Sequence, residues 1–253
     1  MLEFKKAAQP IDAEPIRATA HLPGLEIEII HRRSPEGDAE QISINMQAVP
    51  SFAGAEEEFN AAWRDPNHTQ FELPAHDVNR ILAERYVIKP PTHFTRTMLW
   101  DMEMKKAWDP ATYISYVVST SHSWGRHSLE QGCERFFRSS MQLGWIRPDR
   151  GQVLEDVFIN RTTRRIFFLG RREMTTEAGE RIYASDFQPL FHVEHAATGS
   201  EDAPLNAWRI VLLTKQNDQR YTEPFKQMAK DGLLPGFLEI YIRRDLGAAL
   251  SRR

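Results

Sequence analysis

The run Phe191-His192-Val193-Glu194-His195 concentrates imidazole and carboxylate side chains that can move protons or, with donors from elsewhere, hold a metal. It reads as a strand. Period-2 geometry then puts His192 and Glu194 on one face and His195 on the other, with Phe191 and Val193. At most two of the three can serve one site. The competing interpretation makes His192 and Glu194 solvent-facing and His195 a packed core or rim histidine. A metal centre needs three or four converging ligands, and the further donors in reach are His122 and His127 in the polar stretch 119–127. The metal set readable from the sequence is therefore His122, His127, His192 and Glu194. This is not the helical His-Glu-x-x-His spacing, in which one turn brings both histidines to one face.

Glu155 shares its parity with Val153, Val157 and Ile159, which points it to an apolar side. Burying a lone carboxylate costs several kcal/mol, so Glu155 should be paired, protonated or turned to a wet cavity, and a raised pKa would suit a general acid or base. If the strand slips by one residue, Asp156 takes that place. The catalytic candidates are His122, Glu155, His192 and Glu194. Trp100, Trp124, Tyr183 and Trp208 could line a ligand pocket or simply fill a core, and Arg138 or Arg209 could meet a carboxylate or phenolate.

Other chemistries lack their signatures. There is no Gly-x-Ser-x-Gly elbow, phosphate-binding glycine loop, dinucleotide fingerprint or Cys-x-x-Cys. The single cysteine, Cys133, cannot form an internal disulfide, which fits a reducing compartment, and its polar surroundings give it no catalytic context.

The elements that must position these residues follow from composition and pattern. The 253 residues, 41% hydrophobic and 26% charged, are ordinary for a globular protein and can bury a substantial core. With 32 Lys+Arg against 35 Asp+Glu the formal charge is −3, which offers no cationic excess for nucleic acid. The N-terminus lacks an apolar run after its lysines, and no stretch approaches the roughly 18 apolar residues of a membrane span. A cytoplasmic protein without membrane insertion is expected.

Residues 1–23 read as a loosely docked arm. Leu25, Ile27 and Ile29, then Ile42, Ile44 and Met46, alternate on either side of a Ser34-to-Asp38 turn, a hairpin signature. Between Pro50 and His76 a short helical candidate, Glu56–Trp63, is mixed with Asp65-Pro66-Asn67 and other loop signals, and the pattern fixes no element there. Alternation from Phe94 to Met104 suggests a strand, and Asp109-Pro110 starts a short helix. Strand-like runs follow at 137–145, 153–159, 166–169, 182–197 (interrupted by Pro189) and 205–214, with short turns that make the neighbours antiparallel. A helix begins at Thr222-Glu223-Pro224, and a second runs from Phe237 to Leu250 with an apolar stripe through Leu238, Ile242 and Leu246 and a solvated Glu239–Arg243 pair.

This order of elements resembles the START-like or Bet v 1-like (SRPBCC) helix-grip superfamily over residues 94–250. The Trp108-Asp109-Pro110 helix entry, the LEDVFIN and RRIFFLG strands and the LLPGFLEIYIRRDLGAAL ending carry the resemblance. It implies an α+β fold in which a curved antiparallel β-sheet grips a long C-terminal α-helix, here with an N-terminal β-hairpin extension. Residues 1–92 form the extension, packed on a helix-grip domain of residues 93–253. It also implies a cavity for an apolar or aromatic molecule. Members include lipid carriers, aromatic polyketide cyclases and zinc-dependent hydrolases of acylated phloroglucinols. The hydrolases use a histidine and glutamate pair on the last helix. Residues 221–253 contain no histidine, so that pair does not carry over.

The expected function is binding of a polyketide-like or lipid-like molecule, with acid/base cyclase or lyase-type chemistry. One alternative is a metal-dependent hydrolase resembling diacetylphloroglucinol hydrolase. Another is a non-enzymatic assembly protein, with residues 50–92 and the hairpin as a homodimer or partner surface. No cofactor is expected, zinc entering only with the hydrolase alternative.

Overall fold

The computed structural model describes residues 16–22, 25–33, 40–48 and 50–253, with side chains in the first three segments only at Ile29 and Ile30. The chain divides into two compact units, residues 1–51 and 52–253. Residues 52–92, read from the sequence as part of an extension, lie in the second unit.

The first unit holds β1 (Ile16–Leu22), β2 (Leu25–Arg33) and β3 (Glu40–Ala48), antiparallel in that order. Ile27 pairs with Met46 and Ile29 with Ile44, so the alternating residues of the expected hairpin are cross-strand partners. The turn at 34–39 lies outside the described residues. β1 comes from the segment read as an arm.

The second unit opens with α1 (Phe52–Arg64), β4 (Thr69–Asp77), α2 (Val78–Arg85) and β5 (Tyr86–Lys89). Then follow α3 (Arg96–Trp108), α4 (Pro110–Tyr113), and strands β6 (Val118–Ser128), β7 (Cys133–Leu143), β8 (Arg150–Asn160) and β9 (Arg165–Arg171). A small hairpin, β10 (Glu173–Thr175) and β11 (Arg181–Tyr183), precedes β12 (Phe191–Gly199) and β13 (Pro204–Leu212). The chain ends in α5 (Glu223–Asp231), α6 (Gly236–Arg244) and β14 (Ala249–Arg252).

Seven strands form one antiparallel sheet in the order β4-β13-β12-β9-β8-β7-β6. The meander is thus as expected, with β4 added at one edge and the polar stretch 119–127 forming the other edge rather than a loop. Only Val118 and Trp124 of β6 are buried, so this strand shows no apolar alternation. The unit is α+β, an antiparallel sheet with helices over the cavity side, as the helix-grip resemblance implies.

Two segments differ from expectation. Residues 96–108 are a helix, capped by the Thr95 hydroxyl, which accepts from the Met98 N–H. Its buried residues Leu99, Met102, Glu103, Lys106 and Ala107 recur at helical spacing, and the apparent alternation of Met98, Trp100, Met102 and Met104 is coincidental. The last helix stops at Arg244: Gly247 takes φ +61°, a left-handed conformation, and the chain reverses so that β14 pairs with β5. Glu239 is consequently buried, accepting from the Tyr86 hydroxyl at 2.6 Å and pairing with Arg252 at 2.9 Å, instead of lying on a solvated face.

Three apolar clusters hold the unit together. On one sheet face Phe52, Ala55 and Phe59 of α1 pack on Phe158, Phe167, Leu169 and Val211. On the other, Phe136, Val157, Ile166, Phe168, Trp208 and Ile210 meet residues of α3 and α5. The third joins α2, α3 and α6 around Phe94, Leu99 and Leu238. At roughly 1.5 to 3 kcal/mol per fully buried large side chain, these contacts fix the helices far more firmly than local propensity does.

Candidate functional site

A cavity of about 500 Å³ lies between the helices and the sheet face opposite α1. The sheet contributes Arg138 and Gln142 from β7, Glu155 from β8, Phe168 from β9, Phe191, Val193 and His195 from β12, and Trp208 and Ile210 from β13. Phe225 and Met228 of α5, Phe237 of α6 and Trp145 complete an apolar enclosure. Trp145 packs on Phe191 at 4.7 Å and edge-on to Phe225 at 4.9 Å, and Phe225 meets Trp208 edge-on at 5.2 Å.

Besides Gln142, two polar clusters break this lining. In the first, Arg138 and Glu155 stand opposite each other in the β7–β8 ladder, joined at 2.6 Å and, through Nε, at 2.8 Å. Glu155 is 2% exposed. Arg138 also donates from Nη1 to the Ala107 carbonyl at 2.8 Å, which ties the pair to the C-terminal end of α3. The expectation that Glu155 faces inward and is paired agrees with this geometry. On β7 the side chains of Phe136, Arg138, Ser140 and Gln142 are buried, and Phe137, Met141 and Leu143, on the other parity, are only half-buried.

The second group is Glu103, Lys106, His195 and Asn206. Lys106 Nζ lies 2.6 Å from Glu103 Oε2, an ionic contact without hydrogen-bond directionality, and 2.9 Å from His195 Nδ1. Asn206 donates to Glu103 Oε1 at 3.0 Å. His195 Nδ1 stands between the Lys106 ammonium, which donates, and the Glu103 carboxylate, which accepts, at 3.2 Å, so its proton position follows whichever of the two it bonds. The imidazole is stacked on Trp208, with centroids 5.7 Å apart and planes 2° from parallel.

Burial opposes ionisation of Glu103, but the neighbouring imidazole and ammonium win and hold its carboxyl at about 2. Burial lowers Lys106 to about 8 against the pull of Glu103, and it lowers His195 below the ordinary histidine value. Near neutral pH the cluster therefore holds a carboxylate, an ammonium and a neutral imidazole.

The structure separates the remaining sequence candidates. His192 and Glu194 share a face, as period-2 geometry requires, but it is the α1 face. There Glu194 pairs with Arg165 at 2.6 Å and Arg209 at 2.5 Å, while Arg209 lies over Phe59 and Trp63. His192 Nδ1 accepts from the Gly170 N–H at 3.1 Å. His122 is exposed on the edge strand, stacked on the buried Trp124, and His127 Nδ1 contacts the Gly125 carbonyl at 2.7 Å. Tyr183 is 57% exposed, and Trp100 packs between two core clusters. The four candidate metal ligands are thus dispersed. Among the described residues no group of three or more His, Cys, Asp or Glu is disposed to hold a metal. Burial pushes the Cys133 thiol up to about 11, which keeps it unreactive. Of the sequence candidates, Glu155, Arg138 and Trp208 line the cavity.

Glu103 and Lys106 are hidden from sequence reading because they fall in a segment whose alternation suggests a strand; on a helix their i, i+3 spacing marks a pair. His195 does lie beside Phe191 and Val193, as period 2 requires, but the denser chemistry of His192 and Glu194 belongs to the opposite face.

Comparison with solved structures finds similarity to a protein of Thermus thermophilus, at 10% identity and a TM-score of 0.36, covering 71% of this chain and 97% of the other. The Zhui aromatase/cyclase from Streptomyces sp. R1128 is similar at 8% identity and a TM-score of 0.35, covering 69% and 95%. The di-domain aromatase/cyclase StfQ of the steffimycin biosynthetic pathway is similar at 11% identity and a TM-score of 0.31, covering 88% of this chain and 64% of StfQ. No family model and no curated protein matches the chain. Among the described residues no helix is long and apolar enough to cross a membrane.

Proposed function

We propose that the protein binds a small aromatic, polyketide-like molecule in the cavity between the sheet and α3, α5 and α6, and acts on it by positioning and acid/base catalysis. The observation that carries this reading is the cavity of about 500 Å³, mainly apolar, with Gln142, Arg138–Glu155 and Lys106–His195 as polar groups in its wall. Such a volume falls within the usual range for small-molecule sites, where apolar walls supply affinity and few polar groups supply orientation.

The aromatic walls suit stacked or edge-on rings. Trp208 Nε1 is buried with no acceptor among the described residues. Arg138 is a fixed cation suited to an enolate or phenolate oxygen, and the His195 imidazole can give and recover a proton. Placing a flat polyketone against these groups would favour proton transfer next to a carbonyl, the step that cyclisation or dehydration requires.

Calorimetric titration with β-naphthol and related phenolic naphthalenes tests the reading. One-to-one binding that Val193→Trp abolishes while the circular dichroism spectrum is retained is the expected result. Equal affinity in that variant would place the ligand elsewhere and refute it.

A further inference from the structure

Lysine is almost never fully buried, because its ammonium is strongly hydrated. Lys106 is 4% exposed, near the end of α3, and lines the cavity. Its Nζ is held by three neighbours: Glu103 Oε2 at 2.6 Å, His195 Nδ1 at 2.9 Å and the Phe237 ring, 3.9 Å to the centroid. Two of these, His195 and Phe237, are themselves cavity-lining residues. A carboxylate, an imidazole and an amine in contact beside an apolar hollow is more than ligand binding needs, and it is the equipment of amine nucleophilic catalysis. Burial lowers the amine from 10.5 to about 8, which at neutral pH leaves roughly three-hundredfold more free amine than on a surface lysine.

We propose that Lys106 is a nucleophile that forms an imine with the carbonyl group of a cavity-bound aryl aldehyde, aryl ketone or β-dicarbonyl compound. This rests on the reading that the cavity takes aromatic ligands. The Lys106 ammonium first passes a proton to His195 Nδ1, leaving a free amine and an imidazolium beside the Glu103 carboxylate. Nζ adds to the carbonyl carbon; the oxyanion takes a proton from the attached nitrogen and becomes a carbinolamine. The imidazolium then protonates the departing hydroxyl, water leaves, and a protonated imine remains against Glu103. One carbonyl and one ammonium give one iminium and one water, and the cluster ends with the charge it began with. The iminium withdraws electrons from the adjacent carbon, which suits aldol-type bond formation, its reverse, or loss of carbon dioxide from a β-keto acid.

Reductive trapping tests this on the full-length protein. The chain is incubated with ortho-hydroxynaphthaldehyde, reduced with sodium cyanoborohydride, and mapped by peptide mass spectrometry. The expected result is a secondary-amine adduct on the Lys106 peptide, exceeding other lysines by about tenfold or more and suppressed by excess β-naphthol, which fits the cavity but has no carbonyl. Labelling of Lys106 no faster than that of surface lysines, with β-naphthol still bound, overturns the proposal and leaves the cavity reading standing. Failure of β-naphthol to bind removes both. The mapping uses the unmodified protein, so it does not depend on a Lys106 variant folding.

Discussion

Arg138 and Glu155 face each other across β7 and β8 with their charges 2.6 Å apart, one 5% and the other 2% exposed. Each neutralises a charge that could not otherwise remain in an apolar wall. Arg138→Ala leaves the carboxylate buried and alone, and the expected cost is about 3–5 kcal/mol of unfolding free energy by urea denaturation. The double variant Arg138→Leu/Glu155→Leu should recover most of that. A single variant as stable as the parent would mean that water reaches the pair.

Acid should weaken the fold in two stages. His192 has its pKa lowered from 6.5 to about 4, chiefly by burial, so as pH falls between those values the unfolded chain takes up the proton first and stability drops. Glu103, at about 2 against an ordinary 4.5, contributes stability that is complete above pH 4.5 and lost on descent towards 2. Thermal midpoints across this range should show that Glu103→Gln flattens the lower limb and His192→Gln the upper. Unchanged slopes would contradict the assignment.

Lys106 carries the same sign into the alkaline range. Between about 8 and 10.5 the unfolded chain binds the proton that the folded chain has released, so stability rises with pH through that window. In Lys106→Met the rise should vanish. Its persistence would assign it to another group.

Which sheet face binds ligand can be tested without touching the cavity. His192→Ala and Arg209→Ala alter the α1 face, and His122→Ala and Tyr183→Ala alter exposed positions. All four should leave β-naphthol affinity within about twofold, a change worth less than about 0.5 kcal/mol. A loss of about tenfold or more in any of them would relocate the site.

Gly170 and Phe191 limit how the cavity wall can vary. A Cβ at Gly170 would sit 2.5 Å from the Phe191 carbonyl oxygen, backbone that cannot yield without parting β9 from β12. Gly170→Ala should cost about 1–3 kcal/mol in chemical denaturation. A neutral result would show that the strands separate more easily than this packing implies.

The meander is legible in the sequence because its strands bury alternate or continuous apolar residues between turns, as in Val153 to Ile159 and Ile166 to Leu169. The same rule fails at 96–108, where Met98, Trp100, Met102 and Met104 mimic alternation and only tertiary burial reveals the helical period. It fails again on β7, whose inward residues include Arg138, Ser140 and Gln142, because a wall facing a cavity tolerates polar groups that a filled core would not. At the site, Glu155 can be read from parity alone. Lys106 cannot, since nothing local says that an amine two residues from the end of a helix is enclosed by His195 and Phe237, far along the chain.

A crystal structure of the protein with β-naphthol bound tests the central claim most directly. The account requires ligand density against Phe168, Trp208 and Phe225, with the hydroxyl turned towards Arg138 or His195. Density on the α1 face or on the outer surface, or a hollow closed by rearranged α5 side chains, would contradict it.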